Sequence, residues 1–184
     1  MSLRRMWLFS SYPSHKLIAK YGKLKPGQYG TLADKQLAQI QSLYDTVKSR
    51  LKAKVIFYNY PEIDDYVFGN FANKIHSSFL YQQRKLNYLL MEYAANTADL
   101  YICDLSSIQN QAGKAGVFQP SIYINTEMVL SIDVLPEVAA KTLDIIAAMN
   151  GKFKKCLILD LDNTTWGGII GDDGLENIQI GALA

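Results

Sequence analysis

The chain has 184 residues, of which 49% are hydrophobic and 20% charged, and its formal net charge is +2. These values are ordinary for a globular protein, and so small a charge gives no electrostatic case for binding nucleic acid. No apolar run approaches the ~20 residues of a membrane span, so we expect no membrane partner.

Two cysteines, Cys103 and Cys156, lie in short apolar runs and lack the spacing of metal ligands. We therefore expect both to be buried free thiols, which suits a reducing, cytoplasmic location.

Predicted strands and helices alternate along the first 150 residues. Apolar residues at helical spacing predict the helices, and short apolar runs that end at turn residues predict the strands. In chain order the predicted elements are a strand at 6–9, a helix at 31–51, a strand at 54–60, a helix at 78–98, a strand at 100–103 and a helix that starts near Pro136. This order predicts an α/β fold, a three-layer α/β/α sandwich with a mostly parallel sheet and right-handed crossovers.

Local signals refine this order. Thr31 and Asp34 predict a capping box at the start of the first long helix, and Asn150-Gly151 predicts the end of the last one. The polar, glycine-bearing stretch 106–119 is predicted to be a loop with at most a short helix, and 122–130 alternates weakly, as an edge strand or extended segment would.

Several polar side chains invite a catalytic interpretation but have simpler explanations. The serines and the histidine of 10–15 lack a nucleophile motif and are explained as turn residues. The acids of 62–65 would lie at the functional edge of a parallel sheet, although a solvated loop also explains them. His76 is predicted to be a polar surface residue.

The most informative stretch lies near the C-terminal end. The apolar run 156–159 predicts a buried strand, and Asp160 and Asp162 follow where it should stop. Residues 169–180 predict a β-hairpin with its turn at 171–174, whose acids are explained by the turn itself. A strand, an acid-rich exit and a hairpin over that exit are typical of a covered active site.

The stretch Asp160-Leu161-Asp162-Asn163-Thr164 matches D-x-D-x-T, the first motif of the haloacid dehalogenase (HAD) phosphohydrolases. The longer string 157–175, with Trp-Gly-Gly and Gly-Asp-Asp-Gly, resembles the FkbH-like branch of that superfamily. The resemblance implies that Asp160 is the nucleophile that forms an aspartyl-phosphate, that Asp162 is the general acid and base, and that Thr164 supports the loop.

The same resemblance implies a Mg²⁺ ion held by the Asp160 carboxylate and the backbone carbonyl of Asp162. Mg²⁺ prefers such oxygen ligands, and a carboxylate that attacks a phosphate dianion needs a cation to screen their repulsion. The 166–180 hairpin would be the flap that covers the phosphate.

The region 43–151 resembles the domain that precedes the HAD domain in FkbH-like proteins, which is similar to SGNH hydrolases, a flavodoxin-like three-layer sandwich. The chain lacks their Gly-Asp-Ser and Asp-x-x-His blocks, since 131–136 contains an aspartate but no histidine. We expect a degenerate SGNH-like domain at 1–150, which looks trimmed at its start, and the beginning of an incomplete HAD-like catalytic domain at 151–184.

FkbH-like proteins are associated with forming glyceryl units on a carrier protein from a phosphorylated three-carbon acid. The resemblance therefore implies Mg²⁺-dependent phosphoryl transfer or phosphatase chemistry, a phosphorylated small-molecule substrate, and an acyl or peptidyl carrier protein as partner.

Only 20 residues follow Thr164, too few for the remaining HAD motifs. We therefore expect a fragment or a truncated product with negligible phosphatase activity on its own, whose parent protein is a HAD-type hydrolase or acyl-group transferase. Two alternatives stay open: a non-catalytic SGNH-like domain that docks a carrier protein or substrate, and a folded remnant without chemistry.

Overall fold

The computed structural model describes residues 6–11, 13–119, 129–152, 156, 158–174 and 176–177, with the backbone alone at 6–11 and 173. The chain forms two compact units, Met1–Ile146 and Ala147–Ala184. The predicted boundary between 150 and 151 stays a prediction, since compactness does not say where an independently folding domain ends.

The first unit is built on a small parallel sheet. Its described strands are β1 (Met6–Ser11), β2 (Ala53–Tyr58) and β3 (Leu100–Cys103), in the order β1-β2-β3. Ser11 pairs with Tyr58, and Tyr58 pairs with Cys103. The carboxyl ends of the three strands are therefore level with each other, at one edge of the sheet.

Helices connect and flank these strands. They are α1 (Ser14–Tyr21), α2 (Leu32–Arg50), α3 (Phe79–Ala95), α4 (Leu105–Val117) and α5 (Leu135–Met149), with 3-10 turns at Tyr29–Thr31, Gly69–Lys74 and Ile132–Val134. Among the described residues that follow α5, there is one further helical turn, Ile170–Asp173. Within the described ranges, no helix combines the length and the apolar character needed to cross a membrane.

The alternation of side chains along β2 divides the buried residues into two clusters. Val55 and Phe57 belong to the larger cluster, with residues of α2 and α3. Tyr58 points to the opposite face, packs against the smaller cluster of α4 and its neighbours, and shares a 3.0 Å hydrogen bond with Thr142 of α5. The described residues thus show an α/β unit with a small parallel sheet, while the complete three-layer sandwich stays a prediction.

The predictions for α2, α3, α5 and the three strands are confirmed to within a few residues. The predicted end of α5 is also confirmed. Gly151 has a φ of 74°, in the left-handed region that favours glycine, and the N–H of Lys152 returns to the Ala147 carbonyl at 3.0 Å.

The prediction of a loop with a short helix at 106–119 underestimates the helix, because α4 covers Leu105–Val117 and is interrupted only at Gly113, whose φ is 75°. Its first turn is capped twice. The Asp104 carboxylate accepts the N–H of Ser107 at 3.1 Å, and the side-chain carbonyl of Asn59 accepts the N–H of Leu105 at 2.7 Å. Such bonds satisfy the amides that a helix start leaves without partners.

The predicted capping box at Thr31 is also wrong. The Thr31 hydroxyl donates to the Gln28 carbonyl at 2.7 Å, because the chain enters α2 through the 3-10 turn Tyr29–Thr31. The Asp34 carboxylate instead forms an exposed ion pair with the Lys85 ammonium at 2.7 Å.

The predicted buried strand at 156–159 is not found. Cys156, Ile158 and Leu159 lie outside any strand and are exposed, Ile158 to 90%. A parallel strand needs a neighbouring strand to pair with, and the described residues of this unit provide none. The prediction that Cys156 is buried is therefore wrong, whereas Cys103 is buried as expected.

The predicted hairpin at 169–180 is not confirmed, since Ile170 begins a helical turn rather than a strand. The second strand of that hairpin, at 178–180, and the predicted extended segment at 122–128 lie outside the described residues.

Candidate functional site

Residues 160–170 form a loop that is closed by its own hydrogen bonds. The Leu161 carbonyl accepts the N–H of Thr165 at 3.0 Å and that of Trp166 at 3.3 Å. Asn163 has a φ of 52° and accepts the N–H of Gly168 on its side-chain oxygen at 3.0 Å. Asparagine tolerates this left-handed conformation better than most residues, so its presence at the turn has a physical reason.

Asp162 is held by two donors within this loop. Its Oδ1 accepts the indole N–H of Trp166 at 3.1 Å and the backbone N–H of Ile170 at 3.3 Å. The side chain is half-buried, and its Oδ2 has no hydrogen bond from any described residue. The carboxylate is thus oriented by one oxygen, while the other stays available.

Asp160 differs from Asp162 in its exposure and in its hydrogen bonds. It is exposed, and within the described part of the chain its carboxylate accepts no hydrogen bond. Its backbone carbonyl accepts the hydroxyl of Thr165 at 3.0 Å. The loop therefore presents one carboxylate that is held by two donors and one that no described residue engages.

Thr164 is exposed and donates its backbone N–H to the Leu161 carbonyl at 3.4 Å. The hydroxyl that ties this loop together belongs to Thr165, which sequence reasoning did not single out. The role assigned to Thr164 stays a prediction.

The oxygen atoms of this loop are of the type that Mg²⁺ prefers as ligands. The Asp160 carboxylate and the Asp162 backbone carbonyl are hard oxygen ligands, and neither accepts a hydrogen bond from a described residue. No group of three or more His, Cys, Asp or Glu side chains that could hold a metal occurs among the described residues. Mg²⁺ commonly uses one or two carboxylates and completes its shell with water and substrate phosphate, so these two oxygens would be a partial set of ligands.

In the first unit, the chain that leaves β2 is held by side chains instead of by a neighbouring strand. Asn87 of α3 bonds twice to Tyr60, accepting its N–H at 3.0 Å and donating to its carbonyl at 2.8 Å. Ser106 of α4 donates its hydroxyl to the same carbonyl at 3.0 Å.

Two buried glutamines continue this arrangement. Gln83 of α3 donates to the Pro61 carbonyl at 2.8 Å and accepts the N–H of Ile63 at 3.1 Å. Gln109 of α4 accepts the N–H of Glu62 at 2.6 Å and donates to its carbonyl at 2.8 Å. We call this set the amide clamp, and its members are Gln83, Asn87, Ser106 and Gln109. It supplies the partners that buried backbone groups require.

The acids that follow β2 are engaged within the unit. Glu62 pairs with Arg84 at 2.7 Å and with Lys114 at 3.5 Å. Asp64 and Asp65 accept backbone N–H groups two residues ahead, at 2.8 and 3.2 Å. These contacts agree with the interpretation of 62–65 as a loop.

The same loop continues into four large apolar side chains that are exposed. They are Tyr66, Val67, Phe68 and Phe71, exposed to 77%, 68%, 41% and 61%. Sequence reasoning did not single them out, although four such residues within six positions outside any predicted element are a recognisable signal.

The amide clamp was not predicted either. Its signal is that Gln83 and Asn87 lie four residues apart on a helix and share a side with the buried Leu86 and Leu90. Polar side chains placed among core residues need internal partners.

The other polar candidates have structural partners. Ser14 is buried, and its hydroxyl donates to the Pro61 carbonyl at 2.7 Å. The Asp133 backbone N–H donates to the Ser131 hydroxyl oxygen at 3.2 Å, and the Asp133 carboxylate accepts the side-chain amide of Gln119 at 3.3 Å. His76 is exposed, as predicted.

Comparison with known proteins confirms the FkbH-like resemblance, while the site residues at 160–164 stay a prediction. The chain matches the family described as the FkbH N-terminal domain over residues 6–147. No curated protein matches it. Among solved structures, it is similar to the N-terminal part of the protein BF1531 from Bacteroides fragilis, described as containing a phosphatase domain complexed with Mg, with 45% identity and a TM-score of 0.84. The match covers 96% of this chain and 46% of that one, so the chain spans about half the length of that structure. The chain therefore belongs to the FkbH family, through its N-terminal domain.

Proposed function

We propose that Asp160 and Asp162 are part of a Mg²⁺-dependent phosphoryl-transfer site of the HAD type. The observation that carries this proposal is the difference between the two carboxylates, since Asp162 is oriented by two donors while Asp160 is exposed and accepts no hydrogen bond from a described residue. Acid–base catalysis needs a positioned group, and nucleophilic catalysis needs one that can reach the substrate. The similarity to a structure whose phosphatase domain is complexed with Mg supports the same chemistry.

In this mechanism the Asp160 carboxylate attacks the phosphorus of a phosphate monoester, and the bond from phosphorus to the leaving oxygen breaks. Asp162 gives its proton to that oxygen, which leaves as an alcohol. The phosphoryl group stays on Asp160 as an aspartyl-phosphate. Asp162 then takes a proton from water, whose oxygen attacks the phosphorus. The bond from phosphorus to the Asp160 oxygen breaks, which releases inorganic phosphate and restores the Asp160 carboxylate. The Oδ2 of Asp162, which accepts no hydrogen bond from a described residue, is the atom suited to carry this proton.

Mg²⁺, when bound by the Asp160 carboxylate and the Asp162 carbonyl, would supply the positive charge that screens the approach of carboxylate and phosphate. Thr165 holds the Asp160 carbonyl in place through its hydroxyl, and Thr164 is proposed to support the loop.

We also propose that this chemistry is linked to loading a glyceryl or similar acyl unit onto a carrier protein. A second candidate function concerns the first unit alone, as a non-catalytic, SGNH-like domain that docks such a carrier. The exposed loop residues Tyr66, Val67, Phe68 and Phe71 favour this second candidate, because exposed apolar patches often mark protein interfaces.

Turnover by the full-length product of the gene, which we call the protein as encoded, tests the catalytic proposal. With Mg²⁺ and a panel of small phosphate monoesters, Asp160→Asn should lower kcat/KM by at least about 10³-fold, because it removes the nucleophile. Asp172→Asn, which changes an exposed acid of the same unit, should leave kcat/KM unchanged. Equal activity of Asp160→Asn and the wild type would reject the proposal.

Binding of a purified acyl carrier protein tests the docking candidate. Phe71→Ser should weaken its association, whereas Tyr88→Ser, at another exposed aromatic residue of the first unit, should not. If neither the wild type nor the variants bind the carrier, the docking candidate fails while the catalytic proposal stands.

A further inference from the structure

A cavity of about 180 Å³, open to solvent on one side, lies at the carboxyl edge of the sheet, beside the end of β2. Its walls are mainly apolar, from Pro13, Pro61, Leu105, Leu130 and Val138. Open α/β sheets bind their ligands outside the carboxyl ends of the strands. The cavity therefore occupies the part of this fold where a ligand is expected, and its described lining residues all belong to the first unit.

The polar side chains in its walls already have partners. The Ser14 hydroxyl donates to the Pro61 carbonyl at 2.7 Å, and the Tyr58 hydroxyl shares a 3.0 Å bond with Thr142. The Asn59 amide bonds to residues at the start of α4. A charged ligand would lose its hydration here without gaining equivalent bonds.

Asn59 uses both ends of its amide. Its Nδ2 donates to the Asp104 carboxylate at 2.7 Å, and its Oδ1 accepts the N–H groups of Leu105 and Ser106 at 2.7 and 3.2 Å. The residue is only 7% exposed. Asn59 therefore fixes the start of α4 and contributes to the cavity wall without offering a free donor or acceptor.

The volume indicates how large an occupant the cavity accepts. An apolar protein cavity of about 150 Å³ stays dry and binds benzene. A cavity of about 180 Å³ therefore holds a group of about six carbons. We propose that this cavity binds a short, uncharged hydrocarbon group of about that length, carried by a small-molecule ligand. The proposal does not depend on phosphoryl transfer at Asp160.

The test is a titration of the isotope-labelled protein with straight-chain alcohols from butanol to octanol, followed by amide chemical shifts. Affinity should rise about fourfold for each methylene up to about six carbons, because each adds the same buried apolar area, and then level off. The shifted amides should include those of Ser14, Leu105 and Leu130. Absence of saturable binding, or shifts confined to other regions, would overturn the proposal.

Two variants and one control complete the test. Val138→Phe fills the cavity and should abolish binding, whereas Val67→Phe adds the same bulk at a site 68% exposed and should leave binding unchanged. Leu130→Ala enlarges the cavity and should move the preferred alcohol to a longer chain. Wild-type affinity in Val138→Phe, or, if that variant does not fold, an unchanged length preference in Leu130→Ala, would contradict the proposed site.

Discussion

Trp166 contributes one atom to the candidate site, the indole N–H that donates to Asp162. Trp166→Phe keeps an aromatic ring but removes this donor. If the donor orients the carboxylate, kcat should fall by about 10- to 100-fold, as it does when other residues that orient catalytic groups are removed, while KM changes little. Steady-state kinetics of the protein as encoded measures both constants.

The matched control is Tyr88→Phe, which also removes one polar hydrogen from an aromatic ring, at an exposed residue of the first unit. Its kcat should equal that of the wild type. An unchanged kcat in Trp166→Phe would show that the indole donor has no part in the reaction.

Lys48 and Asp99 give the stability of the first unit a defined pH dependence. The hydrogen bond that the Lys48 ammonium donates to the Asp99 carboxylate raises the pKa of Lys48 above its ordinary value of 10.5. A group whose pKa is raised by folding stabilises the protein fully below its unfolded pKa, and this contribution is lost as the pH rises through the folded pKa. The free energy of unfolding should therefore fall as the pH rises above 10.5.

Urea denaturation at several pH values measures this effect, with Lys48→Met as the reference. Burial also raises the pKa values of Tyr21 and Tyr93, so both proteins lose some stability at high pH. The difference in the free energy of unfolding between wild type and variant should shrink as Lys48 loses its proton. A difference that stays constant to about pH 12, roughly one and a half units above the ordinary lysine value, would rule out the assigned pair.

At the scale of elements, the amide clamp joins α3 and α4 to the chain that leaves β2. Gln83→Leu would leave the partly buried Ile63 N–H without its partner. It would also remove one of the two hydrogen bonds to the Pro61 carbonyl, which keeps the bond from the Ser14 hydroxyl. A buried polar group without a partner costs about 1–3 kcal/mol, so the free energy of unfolding should fall by at least that amount. Urea denaturation compares this variant with the wild type.

Gln39→Leu is the control, because Gln39 is an exposed glutamine of α2. Exposed substitutions usually change stability by less than about 0.5 kcal/mol. Equal stability of the two variants would mean that the clamp contributes nothing to the fold.

The elements also show how far sequence reasoning reaches. The positions of α2 and α3 follow from their own apolar periodicity, which is a local property. The helix α4 could not be predicted in this way, since one of its caps is Asn59, at the end of a strand that lies 46 residues earlier in the chain. The strand predicted at 156–159 failed for a related reason, because a strand forms only where another strand pairs with it.

For the candidate site, the sequence predicted the two carboxylates but not how they differ in exposure and hydrogen bonding. The D-x-D-x-T motif places Asp160 and Asp162 in one loop. The distinction between them depends on the direction of the Trp166 indole, which is set by the closure of the loop around Asn163. That closure involves bonds between residues several positions apart, which a motif does not describe.

At the scale of the whole molecule, the two cysteines report on the two units separately. Burial raises the pKa of the Cys103 thiol, so it is protonated and shielded, whereas Cys156 is exposed. Under native conditions iodoacetamide should alkylate Cys156 and leave Cys103 unmodified until the first unit unfolds. Peptide mass spectrometry at increasing urea concentration follows both sites.

Alkylation of both cysteines at the same rate in the absence of urea would contradict the burial of Cys103. The variant Cys156→Ser serves as control, since it should leave a protein that takes up no reagent while folded.

The central claim is that Asp160 receives a phosphoryl group, and direct detection of that group on the residue is the most direct test. The protein as encoded would be mixed with Mg²⁺ and a substrate found in the turnover assay, quenched in acid within the first turnover, and digested for mass spectrometry. We predict one added phosphoryl group on the peptide that contains Asp160, absent without Mg²⁺ and in Asp160→Asn, and retained in Asp172→Asn. A phosphoryl group on any other residue, or turnover by the wild type without a phosphorylated Asp160, would contradict the account.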